Sequence, residues 1–281
     1  MLEVRELTGR HAVRSLLRGT LSHRYKDNPM KKEFYPLYYK LEDKHWWFLG
    51  RRRIFLKLLD EYLPVPAGGR KRRILDVGCG TGALLKYFSR YGTAQGVDMD
   101  EDAIAFCHKR GAHSVQKVGP LPLPFEDDTF DLITILDVLE HIDDDEGTLR
   151  ELYRILCPGG MLLVSVPAYQ FLWGPQDEIS KHKRRYVAPQ IRALLKQTGF
   201  RISKLSYFNT ILFPAVAVIR VLRPYLPRTF QVDSDCSITK LGPLNRLLAR
   251  LFGLEAPIVR HISLPFGVSI LGLAQKPASL S

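Results

Sequence analysis

The nine residues Ile74-Leu75-Asp76-Val77-Gly78-Cys79-Gly80-Thr81-Gly82 constrain this chain more than any others. Ile74, Leu75 and Val77 read as a short buried strand. Gly78, Gly80 and Gly82 then remove side chains where the backbone turns sharply and can lie close to a ligand. A helix is expected from about Ala83 onward. A glycine-rich turn is common by itself. What gives this one meaning is a second apolar segment ending in Gly96-Val97-Asp98. It places a carboxylate at the tip of the next strand, about 20 residues past the first, where the ribose hydroxyls of a nucleotide-like ligand are held.

Those two stretches, LDVGCGTG and GVDMD, resemble the class I S-adenosylmethionine-dependent methyltransferases. LPFEDDTFDLITILDVLEHI and ELYRILCPGGMLLVSVP extend the resemblance over Arg73 to Phe208. It implies S-adenosyl-L-methionine as cofactor and S-adenosyl-L-homocysteine as product. It also implies that the backbone at Gly78 and Gly80, with Cys79 between them, meets the methionine portion. Asp76 accepts from the amino group, Asp98 takes the ribose diol, and Met99 packs near the adenine. The third glycine follows the second by two residues rather than three, which favours this cofactor over a dinucleotide. One departure stands out. Relatives carry an acidic residue four positions before Leu123-Pro124-Phe125, and Gly119 stands there. No adenine-contacting side chain is therefore assigned.

Strands are expected near 73–78, 93–98, 113–117, 130–136 and 160–166, and helices near 82–91, 101–110 and 144–156. This alternation argues a parallel α/β sheet covered on both faces. A helix over 189–197, a sixth strand over 200–208 and a seventh over 266–275 complete a Rossmann-like seven-stranded fold. Four regions follow: an aromatic N-terminal helical cap (1–63), the core (70–208), a helical insertion between strands six and seven (209–265), and the final strand with its tail (266–281). Val13, Leu16, Leu17 and Leu21 recur at helical spacing. Pro64 to Gly69 reads as a linker. The insertion, with its apolar run Ile211–Ile219 and the stripe Leu244, Leu247, Leu248, Leu251 and Phe252, suits a lid, a dimer face or a membrane-resting surface.

Composition narrows the setting. An excess of 41 Lys and Arg over 29 Asp and Glu gives +12, which predicts attraction to an anionic partner such as an anionic membrane face. Four dispersed cysteines, Cys79, Cys107, Cys157 and Cys236, suggest neither a disulfide framework nor a zinc site, and no metal is expected. A secretory signal is not read in the first thirty residues. The expectation is a cytoplasmic protein, peripheral on the inner membrane face.

The remaining candidate site residues fall in three places. Trp46 and Trp47 cannot share one helix face, so one is expected in the core and the other beside a pocket. Arg51 in the run Arg51–Arg53 can clamp an anion, although a solvated charge run is the default for at least two of the three. After the fourth strand, Asp137 and His141 point toward the mouth of the sheet; Asp137 is assigned to the cofactor, and His141 is either a general base or a loop organiser. After the fifth strand, Asp177 and His182 suit a carboxylate–imidazole pair that takes a hydroxyl proton, with Trp173, Arg185 and Tyr186 contacting the acceptor.

The favoured function is O-methylation of a small-molecule or lipid-linked acceptor. RNA or protein methylation is the competitor, motivated by charge. It is disfavoured by the absence of Asn/Asp-Pro-Pro-Tyr after the fourth strand and of any RNA-binding module. A non-catalytic adenosylmethionine-binding protein is the third reading. Nothing in the sequence specifies the oligomeric state.

Overall fold

A computed structural model describes residues 34–63, 69–223 and 242–278. The helical pattern of Val13 to Leu21, most of the Pro64–Gly69 linker and Cys236 lie outside the described residues. The sheet contains β1 (Arg72–Val77), β2 (Gly92–Asp98), β3 (Val115–Lys117), β4 (Phe130–Leu136), β5 (Leu156–Pro167), β6 (Arg201–Phe208) and β7 (Ser269–Gln275). Their spatial order is β3-β2-β1-β4-β5-β7-β6. Ile74 and Leu75 are adjacent yet both fully buried, as a strand covered on both faces requires.

β1 to β5 are parallel, whereas β7 runs antiparallel to both β5 and β6. The parallel pairing expected from the strand–helix alternation therefore holds across β1–β5, and the sheet as a whole is mixed. An antiparallel neighbour needs no crossover helix, so alternation of strand and helix, the signal for parallel pairing, stops at β6. The chain leaves β1 toward β2 and β3, then returns to β4 on the other side. That reversal puts the ligand crevice of a doubly wound sheet between β1 and β4. Val77 is level with Val97 of β2 and Ile135 of β4, so the three strand tips open on one mouth.

Helices α1 (Phe34–Leu41) and α2 (Trp46–Tyr62) precede the sheet. Ile54, Phe55, Leu58 and Leu59 recur at helical spacing on α2 and are all essentially fully buried, against Leu271, Leu273 and Phe208. Around the sheet stand α3 (Leu85–Phe88), α4 (Glu101–Lys109), α5 (Asp145–Ile155), α6 (Pro175–Ser180) and α7 (Ala188–Gln197). α3 is shorter than expected because Gly82, at φ +75°, interrupts helical geometry.

The insertion contributes α8 (Phe213–Leu222), α9 (Gly242–Gly253) and α10 (Ala256–Val259). α9 belongs to the core. Phe252 is fully buried, edge-on to Trp46 at 5.8 Å, and stacks on Phe208 at 6.1 Å. Gly50 on α2 allows this approach, since a Cβ there would lie 2.2 Å from the Phe252 ring. Asn245 joins the two helices by accepting from Trp46 N (2.8 Å) and donating to the Lys44 carbonyl (2.7 Å). α8 differs: it buries no residue, and Val218, Ile219 and Val221 are each more than half exposed. Among the described residues, no helix is long and apolar enough to cross a membrane.

Candidate active site

β1 ends in the glycine loop, and the loop folds back over β2. Gly78 N–H and Cys79 N–H both donate to the Val97 carbonyl (2.8 and 3.0 Å). Gly80 N–H donates to Asp98 Oδ2 at 2.9 Å, and Asp100 N–H donates to Oδ1 at 3.0 Å. The Asp98 carboxylate therefore faces the loop. Gly80 sits at φ +54°, with no protein atom within 4 Å of where a Cβ would project. A cavity of about 510 Å³, including its open mouth, adjoins this turn. Its walls are Asp76, Gly78, Cys79 and Gly80 from the loop, Ala83 and Leu84 beyond it, Leu136 from β4, and Glu42, Phe48, Arg51 and Arg52 from the cap.

The cap is clamped by charge. Arg110, at the end of α4, donates to Glu42 (2.8 Å), Asp43 (2.7 Å), the Tyr39 carbonyl (3.3 Å) and Thr81 (3.0 Å to its carbonyl). Thr81 Oγ1 donates to Glu42. Tyr35, nearly buried, donates its hydroxyl to Asp100, and burial together with Asp98 and Asp100 raises its pKa. Sequence reading missed Glu42, Phe48, Thr81, Arg110 and Tyr35. Nothing in local periodicity marks them, because they meet only through the docking of α1 and α2.

Electrostatics in the cavity are lopsided. Burial raises the pKa of Asp76 to about 7, against an opposing hydrogen bond from Thr134 and the charge of Arg51. Burial also raises Glu42, opposed by Thr81 and Arg110, and raises Asp98, opposed by its amide donors. Three carboxyls held above their ordinary range by desolvation favour a cationic ligand. Arg51 is the counterpoint. It pairs with Asp137 and lies 4.2 Å over the Trp47 ring. A ligand carrying two positive centres and one carboxylate matches this distribution.

The expected site residues sort clearly. Asp76, Gly78, Cys79 and Gly80 line the cavity. The Cys79 thiol lies 3.9 Å from the buried Cys107 thiol, and its pKa is raised by that contact and by burial, so it is a packing group and not a nucleophile. Met99 is 61% exposed. Asp137, at φ +58°, accepts from Ser165 Oγ (3.0 Å) as well as pairing with Arg51. Trp46 lies in the core against Phe252, and Trp47 is half-buried under Arg51, so the core tryptophan is a correction to any acceptor role for Trp46. Arg52 is also engaged, on Asp43 (3.2 Å) and over Tyr87 (4.3 Å), whereas Arg53 is exposed. The default of two solvated arginines therefore fails.

Asp177 and His182 do pair, at 2.8 Å. Asp177 is fully buried and also takes both Nε and Nη2 of Arg185 (2.8 and 3.0 Å). Burial alone would raise its pKa, but the bonds from His182 and Arg185 outweigh that and hold it at about 2. Arg185 is thus committed to a buried ion pair, and its remaining nitrogen donates to the Ala168 carbonyl (3.0 Å). Tyr186 is 3% exposed and donates to Asp145 (2.9 Å). These geometries replace the expected anion and acceptor contacts of Arg185 and Tyr186 with structural ones. Trp173 is half-buried at the end of a short 3-10 helix. None of Trp173, Asp177, His182, Arg185 and Tyr186 lines the cavity, and neither does His141.

Comparison with known proteins fixes the ancestry of this arrangement. A family model described as a methyltransferase domain matches residues 75–164. Ubiquinone/menaquinone biosynthesis C-methyltransferase UbiE of Escherichia coli is 34% identical over 177 residues, which covers 50% of this chain and 70% of that protein. The chain belongs to the class I S-adenosylmethionine-dependent methyltransferases. Demethylmenaquinone methyltransferase of Tropheryma whipplei is 33% identical over 169 residues, 59% of this chain, and the match spans 60% of that relative's length. Solved structures agree in fold. A methyltransferase of Haloferax volcanii, in complex with a methyltransferase activator, superposes with a TM-score of 0.57 at 16% identity, covering 90% of this chain and 100% of that one. A Thermotoga maritima methyltransferase gives 0.53 at 18%, covering 87% and 97%.

The cofactor of this family fits the residues present. The space beyond Gly80 is a cradle that a Cβ would fill, Asp76 and Glu42 provide negative groups for the amino and sulfonium centres, and Asp98, facing the loop, suits the ribose hydroxyls. Arg51 is a guanidinium within reach of a carboxylate at the same wall.

Proposed function

We propose that this methyltransferase transfers a methyl group to a small apolar acceptor bearing an ionisable hydroxyl, of phenol or quinol class, with oxygen as the receiving atom. The bound cofactor supplies the electrophilic methyl. The chain's own residues do the rest. Asp76 holds the cofactor's ammonium and Asp98 holds the ribose hydroxyls. Arg51 neutralises the methionine carboxylate. Phe48, Leu84 and Leu136 give the remaining wall an apolar character and keep water out. A phenolic hydroxyl ionises at about pH 10, so its proton must leave as the O–C bond forms and the C–S bond breaks; of the cavity-lining groups, the Glu42 carboxylate can take it, and the rest of the rate comes from alignment.

The observation that carries this reading is one cavity in which the glycine loop and Asp76 meet the apolar side chains of Phe48, Leu84 and Leu136. The quinone-pathway names of the relatives support the acceptor class. Their designation as C-methyltransferases makes ring carbon the competing atom. The exposed apolar residues of α8, with Ile262 (61% exposed) and Leu254 (57%), support peripheral contact with lipid, where such acceptors reside. Incubation with methyl-labelled cofactor and lipid, quinone or sugar-nucleotide fractions tests the proposal. Label in the quinone or phenolic-lipid fraction, with the chemical shift of a methoxy group, is expected. Label confined to RNA or protein would refute the acceptor class, and a ring-methyl signal would refute the acceptor atom.

A further inference from the structure

Three side chains outside the cavity converge just beyond the carboxyl end of β4. Glu140 and His141 stand in the single 3-10 turn Leu139–His141, and His182 comes from the loop after α6. One ligand-capable atom of each lies within 4.8 Å of the others. His182 Nε2 is 3.8 Å from Glu140 Oε1, and the two imidazoles meet edge to face with centroids 4.8 Å apart.

Glu140 is completely buried, and among the described residues neither carboxylate oxygen has a partner beyond its own backbone amide. Burying an unpaired carboxylate costs several kcal/mol, so such a group ordinarily has a cation or a proton to balance it. The nearby Arg185 is spent on Asp177. The separation from His182 is too long for a hydrogen bond.

Both histidines are oriented from behind. The Asp177 carboxylate holds His182 from Nδ1 at 2.8 Å, and the opposite ring nitrogen, Nε2, is the one nearest Glu140. His141 is held through one ring nitrogen by the Lys181 carbonyl. An imidazole held from one ring nitrogen by a carboxylate or a carbonyl, with the other nitrogen available, is the arrangement of metal-ligating histidines.

We propose that Glu140, His141 and His182 bind one divalent transition-metal ion, with Asp177 and the Lys181 carbonyl orienting the two imidazoles. Ligand atoms at about 2.1 Å from an ion lie roughly 3–3.5 Å apart. Separations of up to 4.8 Å therefore shorten by at most about 1.3–1.8 Å to close on one. Two nitrogens and one carboxylate suit zinc, iron or manganese and leave positions for oxygen donors. The sequence reading expected no metal on the ground of four dispersed cysteines; it took no account of His141 and His182, which are far apart in the chain.

The untagged full chain, stripped with chelator, is titrated with cobalt(II) and then challenged with zinc(II). One equivalent of cobalt is expected to bind, with visible d–d bands that zinc abolishes. Glu140→Gln and His141→Ala are each expected to weaken binding at least about tenfold, the effect of losing one good ligand interaction, with circular dichroism unchanged. A readout without variants runs in parallel: paramagnetic broadening of histidine ring signals confined to His141 and His182. Absence of saturable cobalt binding by the wild-type chain, broadening centred on other histidines, or binding that survives both substitutions would each overturn the site and leave a protonated buried glutamate in its place.

Discussion

Asp76→Asn should make this protein more stable and less able to hold its cofactor. The Asp76 carboxyl has an ordinary pKa of 3.8, which burial raises to about 7 in the fold. Between these pH values the folded chain keeps a proton that the unfolded chain has released. The stability from this group is complete below pH 3.8 and lost as pH rises to about 7. At about 1.4 kcal/mol per pH unit, the full loss is roughly 4 kcal/mol, and the part between pH 5 and pH 7 is about 3 kcal/mol. Asparagine never ionises, and its carbonyl can still accept the Thr134 hydroxyl that Asp76 accepts. Urea unfolding of both proteins at pH 5 and pH 8 isolates the effect, because every other titrating group cancels in the difference. The stability advantage of the variant should widen by about 3 kcal/mol between the two pH values. Adenosylmethionine affinity should fall about 10- to 100-fold, the worth of a charge-assisted hydrogen bond. A stability difference independent of pH would mean that Asp76 is already ionised and balanced in the fold. Unchanged cofactor affinity would remove it from the site.

Other substitutions probe other parts of the account. Gly80→Ala should cost about 1–2 kcal/mol, from the left-handed backbone alone, since no protein atom opposes the new Cβ. Its cofactor binding, read by calorimetry, should be lost out of proportion. Arg185→Ala strands the buried Asp177 carboxylate and should destabilise the fold by about 3–5 kcal/mol in chemical denaturation; a surface-like loss under about 1 kcal/mol would return Arg185 to an acceptor-binding role. Phe252→Ala should cost about 3–5 kcal/mol, because this ring fills the space between Gly50, Trp46 and Phe208. A small effect would mean that α9 is a detachable lid.

The legible part of this chain is the part where chemistry is local. The glycine loop, Asp98 and the β1–β5 alternation follow from short-range rules, and the strand and helix positions near them were read to within a few residues. What was hidden depends on distant segments meeting. Glu42 and Arg110 carry no mark in the sequence, yet Arg110 ties α1 to the loop through Glu42, Asp43 and Thr81. Arg185 and Tyr186 looked like acceptor contacts because they are polar residues near a mouth. Their actual partners, Asp177 and Asp145, satisfy them internally. Phe252 read as one face of an amphipathic helix, but nothing in its period says which surface that face would cover. Glu140 is the reverse case: an ordinary acidic residue in sequence becomes informative once its burial is known.

The most direct test of the cofactor site is calorimetric titration of adenosylmethionine into the wild-type chain, Asp98→Ala and Asp98→Asn, with circular dichroism confirming the fold of each. The account predicts saturable one-to-one binding to the wild type, weakened at least about tenfold by either substitution. Equal affinity in all three, or no binding to the wild type, would contradict it.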